Sequence, residues 1–152
     1  VIAVVQRVQQ ARVRVAGETV GEIGPGLLVL LGIARTDTLE RAGEMAHKLA
    51  HLRCFEDAAG KLNLSALELG REILLVSQFT LLGDTRRGRR PSFEAAMPPE
   101  EALPIYSAAR AALEQLGLRV ATGRFRAEMA VELVNDGPVT LLVELPGRID
   151  AS

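Results

Sequence analysis

Four residues in a row, Ser77-Gln78-Phe79-Thr80, follow the aliphatic run Ile73-Leu74-Leu75-Val76. Polar side chains gathered where a buried strand emerges can line a pocket, and backbone N–H groups there can hold an oxyanion. The same residues could equally complete their own hydrogen bonds at a strand end. Thr80 is internal, so it cannot use its own α-amine as a base, and a threonine nucleophile would need another activator. Conventional machinery is otherwise scarce. His47 and His51 stand four apart, a spacing able to grip a metal on a helix, yet both fall nearly opposite the apolar face and no third ligand is near. No metal site and no cofactor is expected. Neither histidine is directed at a serine as a triad requires. Cys54 is the sole cysteine, which excludes an internal disulfide; between Arg53 and Phe55 it reads as core.

Two further segments could do work. Thr85-Arg86-Arg87-Gly88-Arg89-Arg90-Pro91 reads as a solvated loop or as a phosphate clamp with up to four guanidiniums, and both readings stand. Asn135-Asp136-Gly137-Pro138 joins two apolar stretches with standard turn residues and predicts a hairpin. A cis X-Pro bond is uncommon, about 5–6% in folded proteins, so the pattern alone does not indicate one.

These residues need a scaffold, and the chain is long enough to supply one. Its 152 residues suit a single domain over 1–152, with 48% apolar and 24% charged residues. With no Trp, one Tyr and four Phe the core must be aliphatic, and an aromatic base-stacking platform is not expected. The net charge of −1 excludes a globally basic nucleic-acid binder but leaves room for a local patch. The start lacks a secretory pattern, and the apolar run 27–31 is far shorter than the roughly 20 residues a bilayer needs. The expectation is a cytoplasmic protein with no membrane contact.

The elements follow from periodicity. Residues 2–5 open as an apolar strand, and Val13 and Val15 alternate with Arg12 and Arg14 in a second. Ala16-Gly17-Glu18 turns into a third at 20–23. After Gly24-Pro25-Gly26, the nearly unbroken aliphatic run 27–33 predicts a strand buried on both faces. Asp37, with Glu40 three residues on, predicts a capped helix with Leu39, Ala42, Met45, Ala46, Leu49 and Leu52 on its apolar face. The run at 73–76 continues through Thr80 as the next strand, and a loop rich in Gly, Arg and Pro spans 83–99. A second helix covers about 100–116, with Tyr106, Ala109, Leu113 and Leu116 inward and Pro104 in an early turn. Strands at 118–121, about 129–134 and 139–145 close the chain, the last two as the hairpin. The order ββββ-α-β-α-βββ is α+β: a curved or rolled, mostly antiparallel sheet with two packed helices.

Several motifs in one order resemble the D-aminoacyl-tRNA deacylases over nearly the whole chain. They are Val4-Val5-Gln6-Arg7-Val8, Gly24-Pro25-Gly26 with the run after it, Ser77-Gln78-Phe79-Thr80-Leu81, Arg89-Arg90-Pro91-Ser92-Phe93, Thr122-Gly123-Arg124-Phe125 through Met129, and Asn135-Asp136-Gly137-Pro138-Val139-Thr140. The resemblance implies a homodimer acting on the 3′-aminoacyl-adenosine end of tRNA, with neither DNA nor membrane as a partner. It implies that Gly137-Pro138 is cis and enters the partner's pocket, where its carbonyl oxygens exclude L-aminoacyl groups and admit D-aminoacyl groups and glycine. Arg7 would hold those carbonyls in orientation. Ser77, Gln78, Phe79 and Thr80 would line the pocket, with Phe125 and Met129 in its wall. The implied reaction is hydrolysis of the D-aminoacyl ester, with water attacking and backbone N–H groups near Phe79 and Thr80 holding the oxyanion. A non-catalytic tRNA-end-binding module and a Thr80-nucleophile hydrolase of another small ester are the alternatives. Two departures from the resemblance are Val1 where relatives start with Met, and Arg126 and Glu128 where a Gly and often an Asp are expected.

Overall fold

A long first strand organises the sheet. In the computed structural model, which describes residues 1–145, β1 (Ile2–Val15) pairs antiparallel with three others. These are β2 (Glu18–Ile23), β3 (Gly26–Gly32) and β8 (Ala130–Glu144). Beyond β3 the order continues through β6 (Glu72–Ser77) to β7 (Val120–Thr122), both pairings parallel. The sheet curls until β2 lies against β7. A Cβ on Gly21 would sit 2.1 Å from the Thr122 carbonyl oxygen, so only glycine permits that approach. A small hairpin, β4 (Phe55–Glu56) with β5 (Leu62–Leu64), stands apart.

The aliphatic runs of β3 and β6 are buried on both faces, as their lack of alternation predicts. Leu27, Val29, Leu31, Ile73 and Leu75 face the cluster beneath the helices. Leu28, Leu74 and Val76 turn the other way and meet Val8, Ala11 and Val13 inside the curl. Each fully buried Leu contributes about 1.5–3 kcal/mol of transfer free energy. Helices α1 (Leu39–His51) and α3 (Pro99–Gln115) pack together over the first cluster. The mixed α+β architecture with a curled, mostly antiparallel sheet agrees with the sequence expectation.

Four local expectations need correction. The first two expected strands are one, because β1 keeps its pairing with β8 through polar Gln9 and Gln10 by means of bulges. The strand expected to run through Thr80 ends at Ser77, and Phe79–Leu82 forms a 3₁₀ turn. Asp37 does not cap α1: the N-cap is Thr38, without a side-chain bond. Asp37 instead accepts hydrogen bonds at 2.7 Å from the Ala34 N–H and the Val1 amino group. The helix therefore starts at Leu39, which is 60% exposed rather than on the buried face. A third, short helix, α2 (Ala66–Leu69), joins the two expected, closed by a reciprocal capping box between Ser65 and Glu68.

The largest correction concerns the expected hairpin at 135–138. Residues on both sides of Gly137-Pro138 belong to β8 and pair with β1, not with each other. From Val8 to Gln6, β1 moves two positions while β8 moves five, from Asn135 to Thr140, so the intervening residues bulge outward. The Asn135 side chain spans the bulge, accepting from the Val139 N–H at 2.9 Å and donating to Thr140 Oγ1 at 3.0 Å. Local turn chemistry is present. It serves a bulge, because β1 supplies the pairing a hairpin would have found in its own second strand.

Candidate active site

The end of β6 opens one of two candidate features. Gln78 donates its N–H to the Leu31 carbonyl at 2.8 Å, the last ladder bond before the chain tightens into the 3₁₀ turn. Phe79 and Thr80 open that turn, the position where helical N–H groups lack an intrahelical acceptor. Gln78 Nε2 donates to Thr80 Oγ1 at 3.0 Å. Phe79, 55% exposed, meets the edge of Phe93 with ring centroids 5.2 Å apart. Ser77, Gln78, Phe79 and Thr80 line a cavity of about 410 Å³ whose walls include Phe125 and Met129. Gly123 makes room for Met129: a Cβ there would lie 2.6 Å from its sulfur.

A polar brace stands behind this pocket. Tyr106 of α3 donates its hydroxyl to the Leu75 carbonyl at 2.7 Å, and its ring packs 5.7 Å from that of Phe125. Burial pushes the Tyr106 hydroxyl pKa up to about 12. Among the described residues the only ionisable one in the lining is Arg126, at φ +67°, whose guanidinium lies 3.9 Å from the Glu100 carboxylate. With no carboxylate or imidazole in its lining among the described residues, the pocket offers backbone N–H groups, the Ser77 and Thr80 hydroxyls and apolar walls. That equipment suits positioning of an already activated ester better than base-driven attack.

The second feature is the β8 bulge. The Gly137-Pro138 bond is cis, Gly137 has φ +134°, and both residues are exposed. A Cβ on Gly137 would stand 2.9 Å from the Val139 side chain and 3.0 Å from Arg7 Nη2, so the position requires glycine. Arg7, buried in β1, donates from Nε to the Asp136 carbonyl and from Nη1 to the Cys54 carbonyl, each at 3.0 Å. Its charge is answered at longer range by Glu56 at 3.8 Å and the Asp136 carboxylate at 3.6 Å. Cys54 itself is buried, and desolvation raises its thiol pKa despite the nearby Arg7 charge.

Within one chain, then, the structure brings Ser77, Gln78, Phe79, Thr80, Phe125 and Met129 together. It holds Arg7, Gly137 and Pro138 apart from them. Arg7 bonds the carbonyl immediately before Gly137. The loop at 84–92 is closed by reciprocal backbone bonds between Asp84 and Ser92, with Arg86 gripping the Asp84 carboxylate at 2.7 and 2.9 Å. That grip holds the Asp84 pKa down at about 2. His47 and His51 are exposed and stack on each other at 4.2 Å. Among the described residues no three potential ligands gather as a metal site, and no helix is long and apolar enough to cross a membrane.

The profile of one protein family, D-Tyr-tRNA(Tyr) deacylase, matches residues 4–144. The chain belongs to that family. A D-aminoacyl-tRNA deacylase from Geobacillus sp. (strain WCH70) is 60% identical over 141 residues, 93% of each chain. The solved structure titled c-Myc DNA Unwinding Element Binding Protein superposes with a TM-score of 0.90 at 42% identity, covering 97% of this chain and all of that one. A probable eukaryotic D-amino acid tRNA deacylase has the same fold, with a TM-score of 0.84 at 18% identity over 95% of this chain and 98% of its own.

Some residues that shape this deacylase-family pocket escape a reading of the sequence. Tyr106 scores as one more inward residue of a helix, and nothing in its spacing marks the hydroxyl as a brace for β6. Met97 and Ala102 line the pocket from the loop and from α3. Met97 carries no periodic or chemical signal, and Ala102, four residues before Tyr106, reads only as one more position on the inner face of the helix. Asn135 reads as a turn residue, and its clamp across the bulge needs the β1 pairing to become visible.

Proposed function

We propose that this chain hydrolyses the ester joining a D-amino acid to the 3′ end of tRNA, releasing free D-amino acid and tRNA in the cytoplasm. Membership of the deacylase family supports the reaction class. The observation that carries the site assignment is the 77–80 pocket, apolar-walled and, among the described residues, without a carboxylate or imidazole in its lining. An aminoacyl ester needs little activation, so water attacks while the N–H groups of Phe79 and Thr80 stabilise the oxyanion and the substrate's 2′-hydroxyl assists. Gln78 presents a donor to Thr80 Oγ1, which cannot take its proton. That bond speaks against Thr80 as a nucleophile.

Selection of the D form falls to Gly137-Pro138 of a second copy, entering the pocket with its carbonyl oxygens and excluding an L side chain. Glycyl-tRNA, lacking any side chain, passes the same screen. The outward bulge, braced by Arg7 and away from its own pocket, supports a homodimer with shared sites. So does β8, whose only strand partner among the described residues is β1, and which exposes Leu142 and Val134.

The test is release of amino acid from D- and L-tyrosyl-tRNA. D-tyrosyl-tRNA is expected to be hydrolysed and the L ester spared. Equal rates on both would remove the chiral screen, and binding without release would favour a non-catalytic RNA-end module.

A further inference from the structure

The 84–92 loop has features that the pocket chemistry leaves unused. Its base is rigid, tied by the Asp84 N–H to Ser92 O at 2.7 Å and the Ser92 N–H to Asp84 O at 2.9 Å. One of its four arginines, Arg86, is spent on that base, held by Asp84. Arg87, Arg89 and Arg90 form no ion pair or hydrogen bond among the described residues, and all three are exposed. The segment 85–91 contains no acidic residue, and Gly88 at φ +64° bends its tip. Immediately after Ser92, Phe93 lines the 77–80 pocket and packs on Phe79.

These facts fix where the charge is. Three residues of chain span at most about 10 Å, so Arg90 stands close to the pocket wall that Phe93 forms. A stacked nucleic-acid strand rises about 3.4 Å per nucleotide, so that distance covers roughly three nucleotides. Three free guanidiniums on a tied loop are suited to paired contacts with phosphate oxygens. Arg86, neutralised by Asp84, shapes the arm without adding to its free charge.

We propose that the 84–92 loop is a phosphate-gripping arm. Arg87, Arg89 and Arg90 contact the backbone phosphates just 5′ of the terminal adenosine of tRNA. This rests on the reading that the 77–80 pocket takes the aminoacylated 3′ end. The arm supplies affinity for the RNA and no part of the ester chemistry, so its loss appears in binding and KM rather than in kcat.

The experiment compares the native protein with the R87Q/R89Q/R90Q variant on three probes. These are uncharged tRNA binding by fluorescence anisotropy, D-tyrosyl-tRNA hydrolysis, and hydrolysis of 3′-D-tyrosyl-adenosine, which carries no phosphate. Removing three phosphate contacts should weaken tRNA binding and raise the tRNA KM roughly tenfold or more. It should also flatten the slope of log affinity against log salt by about two, as expected for three charges on a single strand. Hydrolysis of the phosphate-free ester should not change. Unchanged tRNA affinity and salt slope would overturn the arm. An equal loss on the phosphate-free ester would also overturn it, and would make the loop a support for Phe93. If the native protein hydrolysed neither D ester, the pocket reading would fail, while the anisotropy series would still decide the arm.

Discussion

The two breaks in the sheet, one at the end of β6 and one in the middle of β8, are held by unlike braces. Behind the β6 break, neutral Tyr106 reaches from α3 to a single carbonyl, that of Leu75. Behind the β8 break, charged Arg7 reaches from β1 to two carbonyls, those of Asp136 and Cys54. The first break opens onto a cavity with largely apolar walls. The second projects outward through Gly137, where added atoms meet Arg7 and Val139 at once. The difference is instructive. A cavity that accepts many amino-acid side chains can be built from adaptable walls, whereas an element that excludes one hand by position must be rigid.

The largest expected effect is at the rigid end. Arg7→Met removes both bonds and leaves two carbonyls without their buried partner. The cost should be about 2–4 kcal/mol in urea unfolding, together with loss of D selectivity. A change below about 0.5 kcal/mol, the size of an ordinary surface substitution, would mean that the bulge does not depend on this brace.

Tyr106→Phe should cost less at neutral pH, about 1 kcal/mol for one neutral hydrogen bond. Its pH signature sharpens the contrast. Tyrosine in the unfolded chain ionises near pH 10, whereas folded Tyr106 does so at about 12. The folded state therefore holds the proton more tightly. That stability is fully present below pH 10 and is lost as pH rises through 12. Relative to Tyr106→Phe, the native protein should lose on the order of 2 kcal/mol across that window. Parallel curves for the two proteins would show that Tyr106 is not the group responsible.

Gly137→Ala places a Cβ against Arg7 and Val139 at positive φ, and should cost about 1–2 kcal/mol. Its clearer readout is discrimination, with the D-to-L ratio of kcat/KM falling at least about tenfold, the equivalent of 1.4 kcal/mol. An undiminished ratio would detach the bulge from selectivity. The smallest effect belongs to the pocket side: under the proposed attack by water, Thr80→Ala should keep kcat/KM within about tenfold of native. Abolished turnover with binding intact would instead favour a covalent intermediate at Thr80.

Legibility in the sequence divides along the same line. The runs in β3 and β6 and the faces of α1 and α3 announce themselves, since burial imposes a period on the residues themselves. Ser77, Gln78 and Thr80 are visible as polar side chains at a strand end. The bulge is misread as a hairpin because turn residues report local backbone shape and not which strand pairs with which. Gln9 and Gln10 split β1 into two for the same reason, since the β8 pairing that carries β1 past them, with Gln9 as its extra residue, is not local. Asp37 fails as a cap because the Ala34 N–H competes for its carboxylate. The capping box at Ser65 and Glu68 is plain in sequence and marks a helix of only four residues, too short to show a period. The proposed link between the two breaks, which stand apart on one chain, comes from the resemblance and not from periodicity.

The central claim, that each pocket is screened by the other subunit, is tested most directly by a mixed dimer. One chain carries Ala127→Trp, which fills its pocket; the other carries one glycine inserted between Gly137 and Pro138, which lengthens its bulge. In the hybrid, the only open pocket belongs to the lengthened chain and faces the native bulge of the Ala127→Trp chain. The account predicts that this hybrid hydrolyses D-tyrosyl-tRNA and spares the L ester, although the lengthened homodimer cleaves both. A hybrid as unselective as the lengthened homodimer would contradict it, because the screen would then act on the pocket of its own chain.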